Sequence, residues 1–221
     1  MNTINRQNAI KAYERQKHGG IFMKIFKKDP IDNLPMKIEK FNMELNTYDY
    51  GIVVNYKPIT VNIDFKKYRT LSIEEFERYK LGTCWDYTEY EAYVFSNRFG
   101  MSLTTAPKLM NDKYFSMYYM QHIDKDGDLP SHTWIGYKLD NQIYSFESAW
   151  KSIQGITPHS SEKDMITFYI QKQEEYYKSK NNKLYEYEIV KYTPMPRYGL
   201  NPDEFMEIIY NTGNVVKSTL R

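Results

Sequence analysis

Cys84, His132 and Glu147 are the residues whose types and order could do chemistry. Cys84 is the only cysteine of the 221-residue chain, and it sits behind a glycine in LGTCWDYTEYEAYVF, residues 81–95, where a helix is expected to begin. A thiol in the first turn of a helix meets unpaired N–H groups and the positive end of the dipole, and both favour thiolate. A free thiol ionises near pH ~8.5, and a nearby imidazolium lowers that value. A histidine facing the helix end could act as base and proton donor, and a carboxylate on its second ring nitrogen would fix the tautomer. The resulting chemistry is acyl transfer. The thiolate attacks an amide or peptide carbonyl to form a thioester, and water or an amine then resolves it. The Cys84 N–H can help stabilise the oxyanion, and for the second donor the candidate is Tyr79.

The hairpin YKLDNQIY decides whether His132 and Glu147 can meet. Asp140-Asn141 tolerates the positive φ angles of a two-residue turn. With those two residues as the loop, Leu139 faces Gln142, Tyr137 faces Tyr144, and Trp134 faces Glu147. His132 and Glu147 then share one face as diagonal neighbours, within reach of long side chains. A three-residue loop without a bulge would put them on opposite faces.

These motifs resemble those of the transglutaminase-like superfamily. GTCWDYTEYEAYVF is similar to its nucleophile motif, Gly-x-Cys-aromatic-Asp at a helix start, and HTWIGY and IYSFESAW to its His and acidic motifs. The similarity covers roughly residues 70–175 and extends to small bacterial members of the superfamily. It implies a papain-like α+β fold, with a nucleophile helix packed on an antiparallel sheet. It also implies Cys84 as nucleophile, His132 as base and Glu147 as orienter, with no metal and no cofactor. The acid motif of the family more often carries Asp, so Glu147 is one methylene longer, with Trp150 three residues on. Trp85, Trp134 and Trp150 are expected to shield the site. The superfamily holds peptidases, amidases and acyltransferases, so a protein or peptide substrate is implied. It also holds members without turnover, which leaves a binding or scaffold protein, of phage or mobile-element type, as the alternative.

Several elements must position these residues. Ser72-Ile73-Glu74-Glu75 has the Ser-x-x-Glu pattern of a helix start. A helix over 84–99 is expected to stop at Gly100, strands over 112–121 and 132–148, and a helix from Glu162. The strand LYEYEIVKY follows, then a helix capped by Asn201 with Pro202 at its first position. YGIVVNYKPITVNIDF, residues 50–65, reads as extended, interrupted by Pro58. Residues 1–28 carry seven Lys and Arg against the single acid Glu14. The expected organisation is therefore a basic, partly ordered extension over 1–49 and one domain over 50–221.

Composition bounds the rest. A formal charge of +2 gives no whole-chain case for nucleic acid, leaving only the basic arm as a weak contact for an anionic partner. The 22 tyrosines fit either an AT-rich coding sequence or a Tyr-rich binding surface. One cysteine forms no intrachain disulfide. No apolar run approaches the roughly 18 residues of a membrane span, and the N-terminus is polar throughout, so a cytoplasmic protein is expected. Asp124, Asp126 and Asp128 alternate, but Leu129 and Ile135 stand where an EF-hand needs Gly and Glu. His18, His122 and His159 are isolated, without zinc-ligand spacing.

Overall fold

The computed structural model describes residues 33–109, 113–124, 131–180 and 184–219. The basic segment 1–28 and most of the alternating acidic loop lie outside them. The fold is mixed α/β, built on a seven-stranded sheet that is antiparallel except at one short edge.

In chain order the helices are α1 (Leu34–Leu45), α2 (Ile73–Tyr79), α3 (Cys84–Asn97), α4 (Glu162–Ser179) and α5 (Pro202–Thr212), with a 3-10 turn at Phe65–Lys67. The strands are β1 (Asp49–Tyr50), β2 (Ile52–Val54), β3 (Lys57–Ile59), β4 (Leu81–Gly82), β5 (Ser102–Leu103), β6 (Lys113–Asp124), β7 (Ser131–Leu139), β8 (Gln142–Glu147), β9 (Gly155–His159), β10 (Leu184–Tyr192) and β11 (Asn214–Ser218). The main sheet runs β11-β10-β6-β7-β8-β9, and β5 joins β6 in parallel.

Side chains alternate between the two faces of the sheet. One face sends Phe115, Met117, Ile135, Phe146 and Val190 into the larger core, against Val94 and Phe95 of α3. The other sends Tyr118, Met120, Trp134 and Ile189 against Met165, Tyr169 and Ile170 of α4. Gly136 lets this second layer close, because a Cβ there would lie 2.6 Å from Met165. The start of α4 is tied down by a buried ion pair, Lys191 Nζ to Glu162 Oε1 at 2.7 Å.

Part of the segment expected as an extension over 1–49 is packed. Leu34, Ile38, Phe41 and Leu45 of α1 are buried in the larger core, and Phe41 stacks on Phe146 at 5.5 Å. Residues 34–49 therefore belong to the packed domain. The extended reading of 50–65 is realised as the end of β1 at Tyr50 and the short β2–β3 hairpin, with Pro58 in its second strand. Among the described residues, no helix is long and apolar enough to cross a membrane.

Candidate active site

The cysteine-bearing helix is positioned by the residues that lead into it and by Asp86 in its first turn. Ser72 and Glu75 form the capping box that opens α2, and Lys80 ends it in the left-handed conformation. The chain then runs as β4 into Thr83, the N-cap of α3. Gly82 answers why a glycine precedes the thiol by two residues. A Cβ there would lie 2.7 Å from both the Phe76 ring and Asp86 Cβ, so only glycine lets α2 and α3 approach this closely. Asp86, at the third position of α3, accepts from Thr83 N at 2.8 Å and from Leu71 N at 2.8 Å. Its carboxylate thus clamps the 68–71 segment onto the helix start. Burial raises its pKa to about 6, against the hydrogen bonds that lower it.

β7 grips the same turn from the sheet. Thr133 Oγ1 donates to the Cys84 carbonyl at 2.7 Å and accepts from Thr88 Oγ1 at 3.0 Å. His132, one residue earlier at the end of β7, lies beside Cys84, and the two line the same cavity. Its Nε2 is 2.7 Å from Glu147 Oε2, which leaves Nδ1 as the ring nitrogen available to the thiol.

The β7–β8 hairpin supplies the geometry for that pair. Leu139 pairs with Gln142 and Tyr137 with Tyr144, across Asp140 and Asn141 at φ 49° and 65°. This is the two-residue loop expected from the sequence, and it sets His132 and Glu147 on one face. Glu147 Oε1 is occupied separately, by Ala149 N at 3.0 Å and Trp150 N at 2.8 Å. The carboxylate is therefore fixed at both oxygens.

The imidazole is enclosed by rings. Trp150 meets it edge-on at 5.2 Å, Tyr169 stacks at 5.9 Å and Trp134 at 6.2 Å. Burial alone would lower the His132 pKa. The charge of Glu147, the hydrogen bond to it and the neighbouring Cys84 outweigh it and hold the value at about 10. An imidazolium–carboxylate pair results at neutral pH. Behind it Glu91 is buried and shares a hydrogen bond with Ser148. Burial, aided by the charge of Glu147, raises its pKa well above the ordinary range, against the Ser148 bond. A neutral Glu91 adds no competing charge to the pair.

The thiol and the imidazole lie at a cavity of about 690 Å³, which Cys84, His132, Trp85 and Trp150 help to line. Trp85 stacks on Phe205 of α5 at 4.1 Å. Trp134 is 1 % exposed and packs between sheet and α4, away from the cavity lining. Tyr79 also lies outside that lining, at the end of α2 under Arg78.

Tyr50, rather than Tyr79, stands beside Cys84. β1 pairs in parallel with β4, Tyr50 opposite Gly82, and this carries the Tyr50 hydroxyl to Cys84. The hydroxyl lies beside the thiol and the backbone N–H of Cys84. Although the residue is 37 % exposed overall, desolvation around its hydroxyl, then the charges of Cys84 and Asp86, push its pKa well above the ordinary tyrosine value. It therefore stays a neutral O–H donor. Nothing local in the sequence marks Tyr50, because its link to Cys84 depends on pairing between strands about thirty residues apart.

Among the described residues, no group of three His, Cys, Asp or Glu side chains could hold a metal ion. No protein-family model matches the chain, and no curated protein matches it at a significant level of sequence similarity.

Proposed function

We propose that the protein is a cysteine-dependent acyl-transfer enzyme acting on amide or peptide bonds, with a transglutaminase-like core. The observation that carries this reading is the chain of contacts from the Cys84 thiol through His132 to Glu147, at the edge of an open cavity. A nucleophile-bearing helix packed on an antiparallel sheet, with base and acid on adjacent strands, also suits that type of core.

In the reaction, the Cys84 sulfur attacks the carbonyl carbon as a thiolate, beside the imidazolium of His132. The carbonyl oxygen becomes an oxyanion, for which the Cys84 N–H and the Tyr50 hydroxyl are the donors. Substrate entry must shift the Tyr50 hydroxyl from sulfur to this oxygen. Collapse of the intermediate expels the amine, which takes a proton from His132, and leaves an S-acyl Cys84. His132, now neutral, takes a proton from water or an acceptor amine as that nucleophile attacks the thioester. Departure of the acyl product returns the thiolate–imidazolium pair. Glu147 holds the ring and stabilises its charged form throughout.

The test is turnover of amide substrates by the wild type and by Cys84→Ala. Loss of turnover with an unchanged thermal midpoint is expected. Turnover that survives Cys84→Ala on the same substrate contradicts the mechanism.

A further inference from the structure

The walls of the cavity carry information about the acyl group that the nucleophile does not. Two rings run outward from the imidazole. Trp150 meets His132 edge-on at 5.2 Å, and Tyr176 meets Trp150 edge-on at 5.9 Å. Tyr176 is 45 % exposed. A second apolar group comes from the segment before α2, where Ile63 and Phe65 line the same cavity and Phe65 is 49 % exposed. Met206 of α5 adds a third contribution. Large side chains left in water around a concave site gain free energy when an apolar group covers them.

Charge is just as selective. Apart from the Cys84–His132 pair, the only ionic side chain among the described lining residues is Lys151, and none of them is a carboxylate. The Lys151 ammonium is held by two carbonyl oxygens, Asn46 O at 3.1 Å and Tyr48 O at 2.9 Å. No described carboxylate pairs with it, so its positive charge remains available to the cavity. A cationic substrate would be repelled there and would find no partner.

We infer that this cleft takes acyl groups with a large apolar or aromatic side chain beside the reactive carbonyl, and discriminates against cationic ones. The inference rests on the acyl-transfer reading, since it assumes that the carbonyl is delivered to Cys84. Phe65 and Tyr176 are its specificity-determining contacts, and Lys151 its charge filter.

The experiment measures alkylation rates of Cys84 by iodoacetamide and by N-acetyl aminoacyl chloromethyl ketones of phenylalanine, glutamate and lysine. Each rate is normalised to that of glutathione with the same reagent. The phenylalanyl reagent is expected to react at least tenfold faster than the lysyl one, with the glutamyl reagent between them. Phe65→Ala with Tyr176→Ala should bring the phenylalanyl-to-glutamyl ratio close to one. Lys151→Met should bring the glutamyl-to-lysyl ratio close to one. Both sites are solvent-facing, and ratios within one variant cancel any change in folding or thiol reactivity. Brisk iodoacetamide labelling with no side-chain preference overturns the specificity and leaves the nucleophile in place. Failure of every reagent on the native chain, with the thiol reactive after denaturation, overturns the acyl-transfer reading and the inference with it.

Discussion

Thr133 Oγ1 donates a 2.7 Å hydrogen bond to the carbonyl oxygen of Cys84. The residue beside His132 thus holds the backbone of the residue that carries the thiol. Because neighbours on a strand point to opposite faces, β7 grips the helix with one side chain and offers its imidazole with the next. Thr133→Val keeps the shape but loses this bond and the one from Thr88. The expected cost is about 1–3 kcal/mol of stability, since buried polar groups lose partners. Turnover should fall about 10-fold or more, because small misplacements of reacting groups are expensive. Denaturant titration and steady-state kinetics check both, and Thr133→Ser should recover most of each.

Tyr50→Phe keeps the ring and removes the hydroxyl that faces the Cys84 thiol and N–H. As the loss of one oxyanion donor, it should lower kcat by roughly 10- to 1,000-fold with little change in KM. Tyr79→Phe should leave both constants unchanged. A Tyr50→Phe enzyme at full kcat would remove the hydroxyl from the mechanism.

Glu147→Gln removes the charge that holds the His132 pKa at about 10. Burial then dominates, and the imidazole is expected to be neutral at pH 7. Proton-detected NMR of His132 reads this directly. The sign of the linked stability follows. A raised histidine pKa contributes stability that is complete below about pH 6.5 and is lost as pH rises through about 10. Glu147→Gln should abolish that loss, along with the stability itself, on the order of a few kcal/mol.

Glu89 gives a slope of the same sign at lower pH. It is buried on α3, with one oxygen accepting from Met195 N at 3.0 Å and the other without a partner among the described residues. Burial raises its pKa from 4.5 to about 8, against the Met195 bond. The folded state therefore binds a proton that the unfolded chain releases, and this contribution to stability falls between about pH 4.5 and 8. Asp86 adds a similar fall between about pH 4 and 6. Glu89→Gln should flatten the higher part of the profile and stabilise the chain at pH 8, on the order of a few kcal/mol. Thermal melts across pH check it.

Much of this arrangement could be read from local sequence. The capping box at Ser72, the helix opened by Cys84 and the Asp140-Asn141 turn each declare themselves over a few residues. The turn alone fixes the register that joins His132 to Glu147. Long-range features were not legible. Tyr50 reaches Cys84 only through the β1–β4 pairing, two residues long on each side. Helix α1 escaped notice because its buried face, Leu34, Ile38, Phe41 and Leu45, lies just after a basic stretch that reads as a solvated arm. The edge strands β9 and β11 are each five residues long and carry no alternation strong enough to distinguish them from loops.

The most direct measurement is intact mass after brief exposure to an activated acyl donor, such as a p-nitrophenyl ester of N-acetylphenylalanine. A single acyl adduct on Cys84 is expected, discharged by neutral hydroxylamine and formed at least 100-fold more slowly in His132→Ala. An unmodified wild-type thiol that still reacts freely after denaturation, or equal acylation of wild type and His132→Ala, would contradict acyl transfer through this cysteine and histidine.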